Sequence, residues 1–166
     1  NLIRPLKIHI LIHNYTFNSF ADGHANRDAY RFYHWSLIDF FCYFSHHFVT
    51  IPPVGWTVAA HRNGVRCFGT IIIEHWATYP SSSDGRRLKG NELVSAMLLD
   101  EDRVDQVTTA LVNIAKHYRF DGWLVNIETP MEIATIPLME QFLLQLTGKM
   151  KQQLDWIVTP GETEDE

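Results

Sequence analysis

The chain alternates short, almost wholly apolar runs with longer segments in which apolar residues recur every three or four positions. The apolar runs predict five strands, which lie at Lys7–Tyr15, Leu37–Ser45, Val65–Glu74, Phe120–Glu128 and Asp155–Val158. The 3.6-residue period predicts amphipathic helices over Asp102–Tyr118 and Ile136–Leu154, the second with Thr135 as its candidate N-cap. A shorter helix is predicted over Thr57–Arg62 and another from about Asn91, with Tyr79–Gly90 between them as a polar surface loop.

Apolar strands that alternate with amphipathic helices favour a parallel α/β architecture, because only helices on both faces of a sheet bury its strands so completely. The pattern does not distinguish an open sheet from a barrel. A complete (β/α)₈ barrel needs about 250 residues, whereas this chain has 166. We therefore expect a partial structure of about five strands.

The amino-acid composition excludes several classes of protein. With 46% apolar and 20% charged residues the chain is typical of a globular protein, not of a disordered or coiled-coil one. Most of the net charge of −5 comes from the four acidic residues of the last five positions, and no basic stripe indicates a nucleic-acid partner. No apolar run is long enough to predict a membrane span, and no signal peptide is recognisable. The chain begins at Asn1, not Met, which leaves a preceding segment open.

Cysteine and histidine usage gives no prediction of a disulfide framework or a metal site. Cys42 and Cys67 both lie inside apolar runs, which favours a reducing compartment. Among nine histidines, His9 and His13 share one strand face, and His46 is followed directly by a second histidine. Neighbouring residues of a strand point to opposite faces, and zinc-binding spacings are absent, so we expect no metal.

The segment FDGWLVNIET, residues 120–129, carries the most informative polar residues. In a strand, Asn126 and Glu128 point to one face and Trp123 to the other, where we expect it to pack under a helix. Ligands of parallel α/β folds bind at the carboxyl ends of the strands, so a buried Glu128 with raised pKa suits a general acid. A purely structural role for the pair remains an equal alternative at this point. Most glycosidases need a second carboxylate, which either Glu74 or the substrate would have to replace.

The blocks YFSHH, IPPVGW, AHR and FDGWLVNIE resemble the endo-β-N-acetylglucosaminidases of glycoside hydrolase family 85, over about Tyr30 to Leu154. The resemblance implies a cytosolic TIM-barrel enzyme that cleaves the β-1,4 bond of the N,N'-diacetylchitobiose core of N-linked glycans on glycoproteins. It implies a retaining mechanism in which the substrate's own acetamido group is the nucleophile, with no metal or organic cofactor. Residues 1–159 would then be a partial barrel, followed by an acidic disordered tail at 160–166.

The resemblance also assigns residues. Glu128 matches the general acid/base, and Asn126 matches the amide that holds the acetamido group. Glu74, Trp76 and His46 are the expected substrate-binding residues, each near the end of a predicted strand.

The sequence departs from the family pattern after the fourth helix. A WYDS-like block is expected at the fifth strand, where the chain instead has DWIVTPGETEDE. We expect the chain to be a fragment, an alternative transcript product or an incomplete gene prediction. The alternatives are a truncated chain that is inactive or only binds glycans, and a two-carboxylate glycosidase that uses Glu74 with Glu128. Glycan preference and oligomeric state are not predicted.

Overall fold

A computed structural model describes the main chain of residues 9–13, together with residues 32–80 and 85–154 apart from the side chain of residue 154. The strands are β1 (His9–His13), β2 (Phe40–Phe44), β3 (Val49–Thr50), β4 (Arg66–Glu74), β5 (Thr78–Pro80), β6 (Arg87–Lys89) and β7 (Gly122–Glu128). The helices are α1 (Val54–Arg62), α2 (Gly90–Met97), α3 (Glu101–Tyr118) and α4 (Ile136–Leu154), with 3-10 turns at Trp35–Leu37 and Ile133–Thr135. The predicted fifth strand and the acidic tail lie outside the described residues.

The described residues fall into two compact units. The first, unit 1, takes its residues from positions 1–72 and 118–128, and the second, unit 2, from positions 73–117 and 129–166. Unit 1 therefore contains most of the sheet, and unit 2 contains three of the four helices.

The main sheet joins the four predicted strands that lie within the described residues. β1 pairs with β2 and β2 with β4, both in parallel, and β7 also pairs with β4. The sheet is nevertheless mixed, because β3, a strand that the sequence does not predict, runs antiparallel to β4. The chain reverses direction after Ser45, whose hydroxyl accepts the backbone N–H of His47 at 3.1 Å and is hydrogen-bonded to Thr50. This turn returns residues 49–50 along β4.

Helix α1 covers one face of the sheet in unit 1. It begins at Val54, three residues before the predicted start, because the carbonyl of the N-cap residue Pro53 accepts the backbone N–H groups of Trp56 and Thr57. It ends as the sequence predicts, with Gly64 in the left-handed region at φ +69°. The core beneath it contains Trp35, Ile38, Phe41, Tyr43, Ala60, Val65 and Cys67.

Two glycines determine how closely β7 lies against β4. A Cβ on Gly69 would lie 2.9 Å from the ring of Trp123, and a Cβ on Gly122 would lie 3.0 Å from the ring of Phe68. Each aromatic ring therefore fills the space over a glycine of the neighbouring strand. Residue numbers thus increase in the same direction along both strands, from Phe68 to Gly69 and from Gly122 to Trp123, as in a parallel pair.

In unit 2, part of the predicted surface loop is ordered structure. β5 and β6 form an antiparallel pair with Tyr79 opposite Leu88, so the expectation of an irregular loop over Tyr79–Gly90 is wrong at both ends. Helix α4 has the predicted boundaries, and its buried side chains include Phe142, Leu146 and Met150. Within the described ranges, no helix has the length and apolar character needed to cross a membrane.

Candidate active site

Asn126 and Glu128 lie side by side at the carboxyl end of β7. The side-chain amide of Asn126 donates a hydrogen bond to Oε1 of Glu128 at 3.0 Å, so the two side chains share a face as the strand period predicts. Asn126 is half-buried, whereas Glu128 is exposed. The expectation of a buried Glu128 is therefore wrong, because the last residue of the strand extends past the packed part of the sheet.

Asp121 anchors the opposite end of the same strand. This carboxyl is only 6% exposed, and its Oδ2 accepts the backbone N–H of Cys67 and hydrogen-bonds Nε2 of His61, both at 2.7 Å. The backbone N–H of Asp121 donates in turn to the carbonyl of Cys67 at 2.8 Å. Sequence reasoning missed this residue. The signal was available, since an aspartate within an apolar run must find hydrogen-bond partners when it is buried.

Glu74 is a buried carboxyl of unit 2, at 4% exposure. Its backbone N–H donates to the phenolic oxygen of Tyr79 at 2.7 Å, and its carbonyl accepts the N–H of Ala77 at 3.3 Å. Trp76, two residues later, is 65% exposed, which leaves most of its indole ring accessible. The end of β4 thus presents one buried acidic and one exposed aromatic side chain.

His46 follows β2 in the turn that Ser45 organises. Its ring is half-buried and packs edge-on against Phe44, with 5.4 Å between ring centroids. The structure therefore places it at the carboxyl end of β2, the expected position, while its proposed contact with sugar stays a prediction.

Trp123 lies on the opposite face of β7 from the polar pair, as predicted. It packs over Gly69 of the sheet and edge-on against Phe120, with 4.8 Å between ring centroids. This position makes Trp123 part of the packing and not a platform beside Asn126.

The two cysteines are free thiols in buried positions. Burial raises the pKa of Cys42 to about 11, partly offset by its hydrogen bond to Thr70. Burial likewise raises the pKa of Cys67 to about 12, with Thr57 opposing and the charge of Asp121 adding to the shift. A thiol that stays protonated is a poor nucleophile and a poor metal ligand.

Among the described side chains, no three of the types His, Cys, Asp and Glu are placed to share a metal ion. The side chains of His9 and His13 lie outside the described residues.

Known proteins resemble the chain in sequence, and a solved structure resembles it in fold. The model of glycosyl hydrolase family 85 matches residues 13–159. Cytosolic endo-β-N-acetylglucosaminidase of Gallus gallus is 45% identical over 89% of the chain, and the enzyme of that name from Homo sapiens is 42% identical over 91%. The chain spans about a fifth of the length of these relatives, 19% in each case.

A solved structure shows a similar fold. The glycoside hydrolase domain of Endo-D from Streptococcus pneumoniae R6 superimposes with a TM-score of 0.66 at 23% identity, over 88% of this chain and 22% of that one. With the family model matched over nearly the whole sequence, the chain belongs to glycoside hydrolase family 85.

Proposed function

We propose that the chain carries the catalytic pair of an endo-acting glycoside hydrolase. The substrate is the N,N'-diacetylchitobiose core of N-linked glycans, cleaved at its β-1,4 bond with retention of configuration. The observation that supports this most directly is the 3.0 Å hydrogen bond between Asn126 and Glu128 at the end of β7. An amide and a carboxyl in contact at a strand end match the needs of a substrate-assisted mechanism, in which no second protein carboxylate acts.

In the first step, Glu128 donates its proton to the glycosidic oxygen, and the bond from that oxygen to the anomeric carbon breaks. The acetamido oxygen of the same sugar forms a bond to the anomeric carbon, which gives an oxazoline-type intermediate. Asn126 directs its amide nitrogen at Glu128, so its carbonyl oxygen is the atom that would accept the acetamido N–H. That contact strengthens as positive charge develops on the group, which is how a pre-organised dipole lowers a barrier.

In the second step, the ionised Glu128 accepts a proton from water while the water oxygen bonds to the anomeric carbon. The ring of the intermediate opens and restores the acetamido group, with overall retention. A sugar ring seated over Glu128 would exclude water from the reacting atoms, which strengthens the electrostatic interactions within the site.

The proposal extends to the fold, the other site residues and the compartment. The sheet would form the first part of a (β/α)₈ barrel, whose strand ends carry His46, Glu74 and Trp76 as glycan-binding residues. An exposed indole such as that of Trp76 stacks well on the apolar face of a pyranose. The relatives are named cytosolic, and two buried free thiols suit that reducing compartment.

The test is to incubate the 166-residue chain with fluorescently labelled Man₉GlcNAc₂ and to follow cleavage between the two N-acetylglucosamines by mass spectrometry. Glu128→Gln should lower the rate by about 10²–10⁴-fold and Asn126→Ala by about 10²–10³-fold. Glu132→Gln is the matched control, since Glu132 is exposed and lies four residues further along. Cleavage that is equally fast in the Glu128 and Glu132 variants would contradict the assignment.

A second candidate function is glycan binding without hydrolysis. The observation that favours it is the exposure of Glu128, because nothing among the described residues shields the proposed acid from water. A folded chain that binds the labelled glycan without cleaving it would support this alternative. A two-carboxylate mechanism predicts instead that Glu74→Gln abolishes cleavage as completely as Glu128→Gln, whereas a binding role for Glu74 predicts a raised KM.

A further inference from the structure

The main chain of Glu74 is held on both sides by the segment that follows it. On one side, its N–H donates to the hydroxyl of Tyr79 at 2.7 Å. Tyr79 is itself only 4% exposed, so water does not readily replace this partner. A buried phenol five residues away therefore helps to hold the Glu74 backbone in place.

On the other side, helix α2 begins against the carbonyl of Glu74. A Cβ on Gly90 would lie 2.5 Å from the Glu74 carbonyl oxygen and 3.2 Å from the hydroxyl of Thr129. Only glycine allows so close an approach at this point. The φ of Gly90 is not in the left-handed region, so the requirement is for space and not for an unusual backbone angle.

The β5–β6 hairpin connects these two contacts. Tyr79 lies in the middle of β5 and pairs with Leu88 of β6, and Gly90 follows directly after β6. Tyr79 of β5 thus accepts a hydrogen bond from the N–H of Glu74, and Gly90, directly after β6, lies against the carbonyl of Glu74. Burial raises the pKa of Tyr79. The hydrogen bond from the Glu74 N–H lowers this pKa, and the Glu74 charge raises it. The net shift is upward, so the hydroxyl stays protonated.

We infer that the β5–β6 hairpin is a positioning element for Glu74, with Tyr79 as a residue that sets glycan affinity without touching the glycan. The inference rests on the proposed function, because it assigns Glu74 a hydroxyl-binding role. A buried carboxylate is an effective acceptor for sugar hydroxyls only when its position is fixed before binding. The hairpin provides that fixation through the backbone of Glu74.

The first test isolates the contact itself. Amide hydrogen exchange of Glu74 is measured by NMR on the 166-residue chain, with and without Tyr79→Phe. Loss of the buried acceptor should speed exchange of this amide about tenfold or more. Tyr33→Phe is the matched control, because Tyr33 is 71% exposed. Unchanged exchange at Glu74 in the Tyr79 variant would overturn the inference.

The second test measures what the contact does for binding. Affinity for Man₉GlcNAc₂ is measured in the Glu128→Gln background, where the ligand is not consumed, for Tyr79→Phe, Glu74→Gln and the double variant. We expect about a tenfold loss for each single change and no further loss in the double, since Tyr79 acts on glycan binding only through Glu74. In the active chain, Tyr79→Phe should raise KM and leave kcat within about twofold.

The outcomes separate this inference from the proposed function. Additive losses in the double variant would show that Tyr79 acts independently of Glu74 and would overturn the inference while the proposed function stands. If the chain binds no glycan and cleaves none, the proposed function fails. Faster exchange of the Glu74 amide in Tyr79→Phe would then show that the hairpin positions Glu74 but has no role in sugar binding.

Discussion

Replacing Asp121 tests how strand β7 is anchored to the sheet. The carboxylate Oδ2 accepts the backbone N–H of Cys67 and contacts Nε2 of His61, each at 2.7 Å, in a position that is 6% exposed. Asp121→Ala removes both bonds and leaves the N–H of Cys67 buried without an acceptor.

The magnitude follows from the burial of the two partners. An orphaned backbone donor costs about 1–3 kcal/mol, and a hydrogen bond to a charged group contributes about 1.5–3 kcal/mol. The His61 side chain is 38% exposed, so water replaces part of what it loses. We expect Asp121→Ala to lower the free energy of unfolding by about 3–5 kcal/mol and Asp121→Asn, which keeps an oxygen for Cys67, by about 1–2 kcal/mol.

Urea unfolding followed by tryptophan fluorescence measures these differences as shifts of the midpoint at constant slope. Asp39→Asn is the control, because Asp39 is exposed in the same unit. The free energy of unfolding of this variant should stay within about 0.5 kcal/mol of that of the parent chain. A loss below about 1 kcal/mol for Asp121→Ala would refute the argument, since even one unsatisfied buried donor costs that much.

Four further predictions follow from the structure. Gly69→Ala should destabilise the chain by about 1–3 kcal/mol in the same unfolding assay, because the added methyl would overlap a tryptophan ring. Gly148→Ala, in an open position of α4, should instead stabilise it by about 1 kcal/mol. At pH 8, Cys42 and Cys67 should resist iodoacetamide in the folded chain and react in urea, since burial raises their pKa values to about 11 and 12. Lys149→Met should cost no more than about 1 kcal/mol, less at high salt, because Asp105, its ion-pair partner on α3, is 63% exposed.

The features that the sequence predicts are those governed by local periodicity. The strand at Phe120–Glu128 was expected from its apolar run, and its alternation correctly places Asn126 beside Glu128 and Trp123 on the other face. Helix α4 was likewise expected from a 3.6-residue period that persists over 19 residues. In both cases each residue's neighbours along the chain determine which face it occupies.

The features that the sequence does not predict depend on distant partners. β3 and the β5–β6 pair have two or three residues a strand, too few for a periodic signal. The role of Asp121 depends on His61, sixty positions earlier in the chain. Which glutamate is buried also depends on tertiary packing, because Tyr79 and Gly90 lie against the main chain of the buried Glu74, whereas Glu128 is exposed.

The face of β7 that carries Asn126 and Glu128 depends on how this strand is aligned with β4. Packing at the start of β7 fixes that alignment. Trp123 packs over Gly69, and Phe68 packs over Gly122. Each ring needs a glycine opposite it, and only one register of the two strands provides both glycines. A slip by one residue would press the indole against a larger side chain and would turn Asn126 and Glu128 to the helix-covered face. Asp121 opposes the same slip from the other end of the strand through its bond to Cys67. The glycines and the aspartate of FDGWLVNIE therefore act on the candidate site from a distance, by deciding where its amide and carboxyl point.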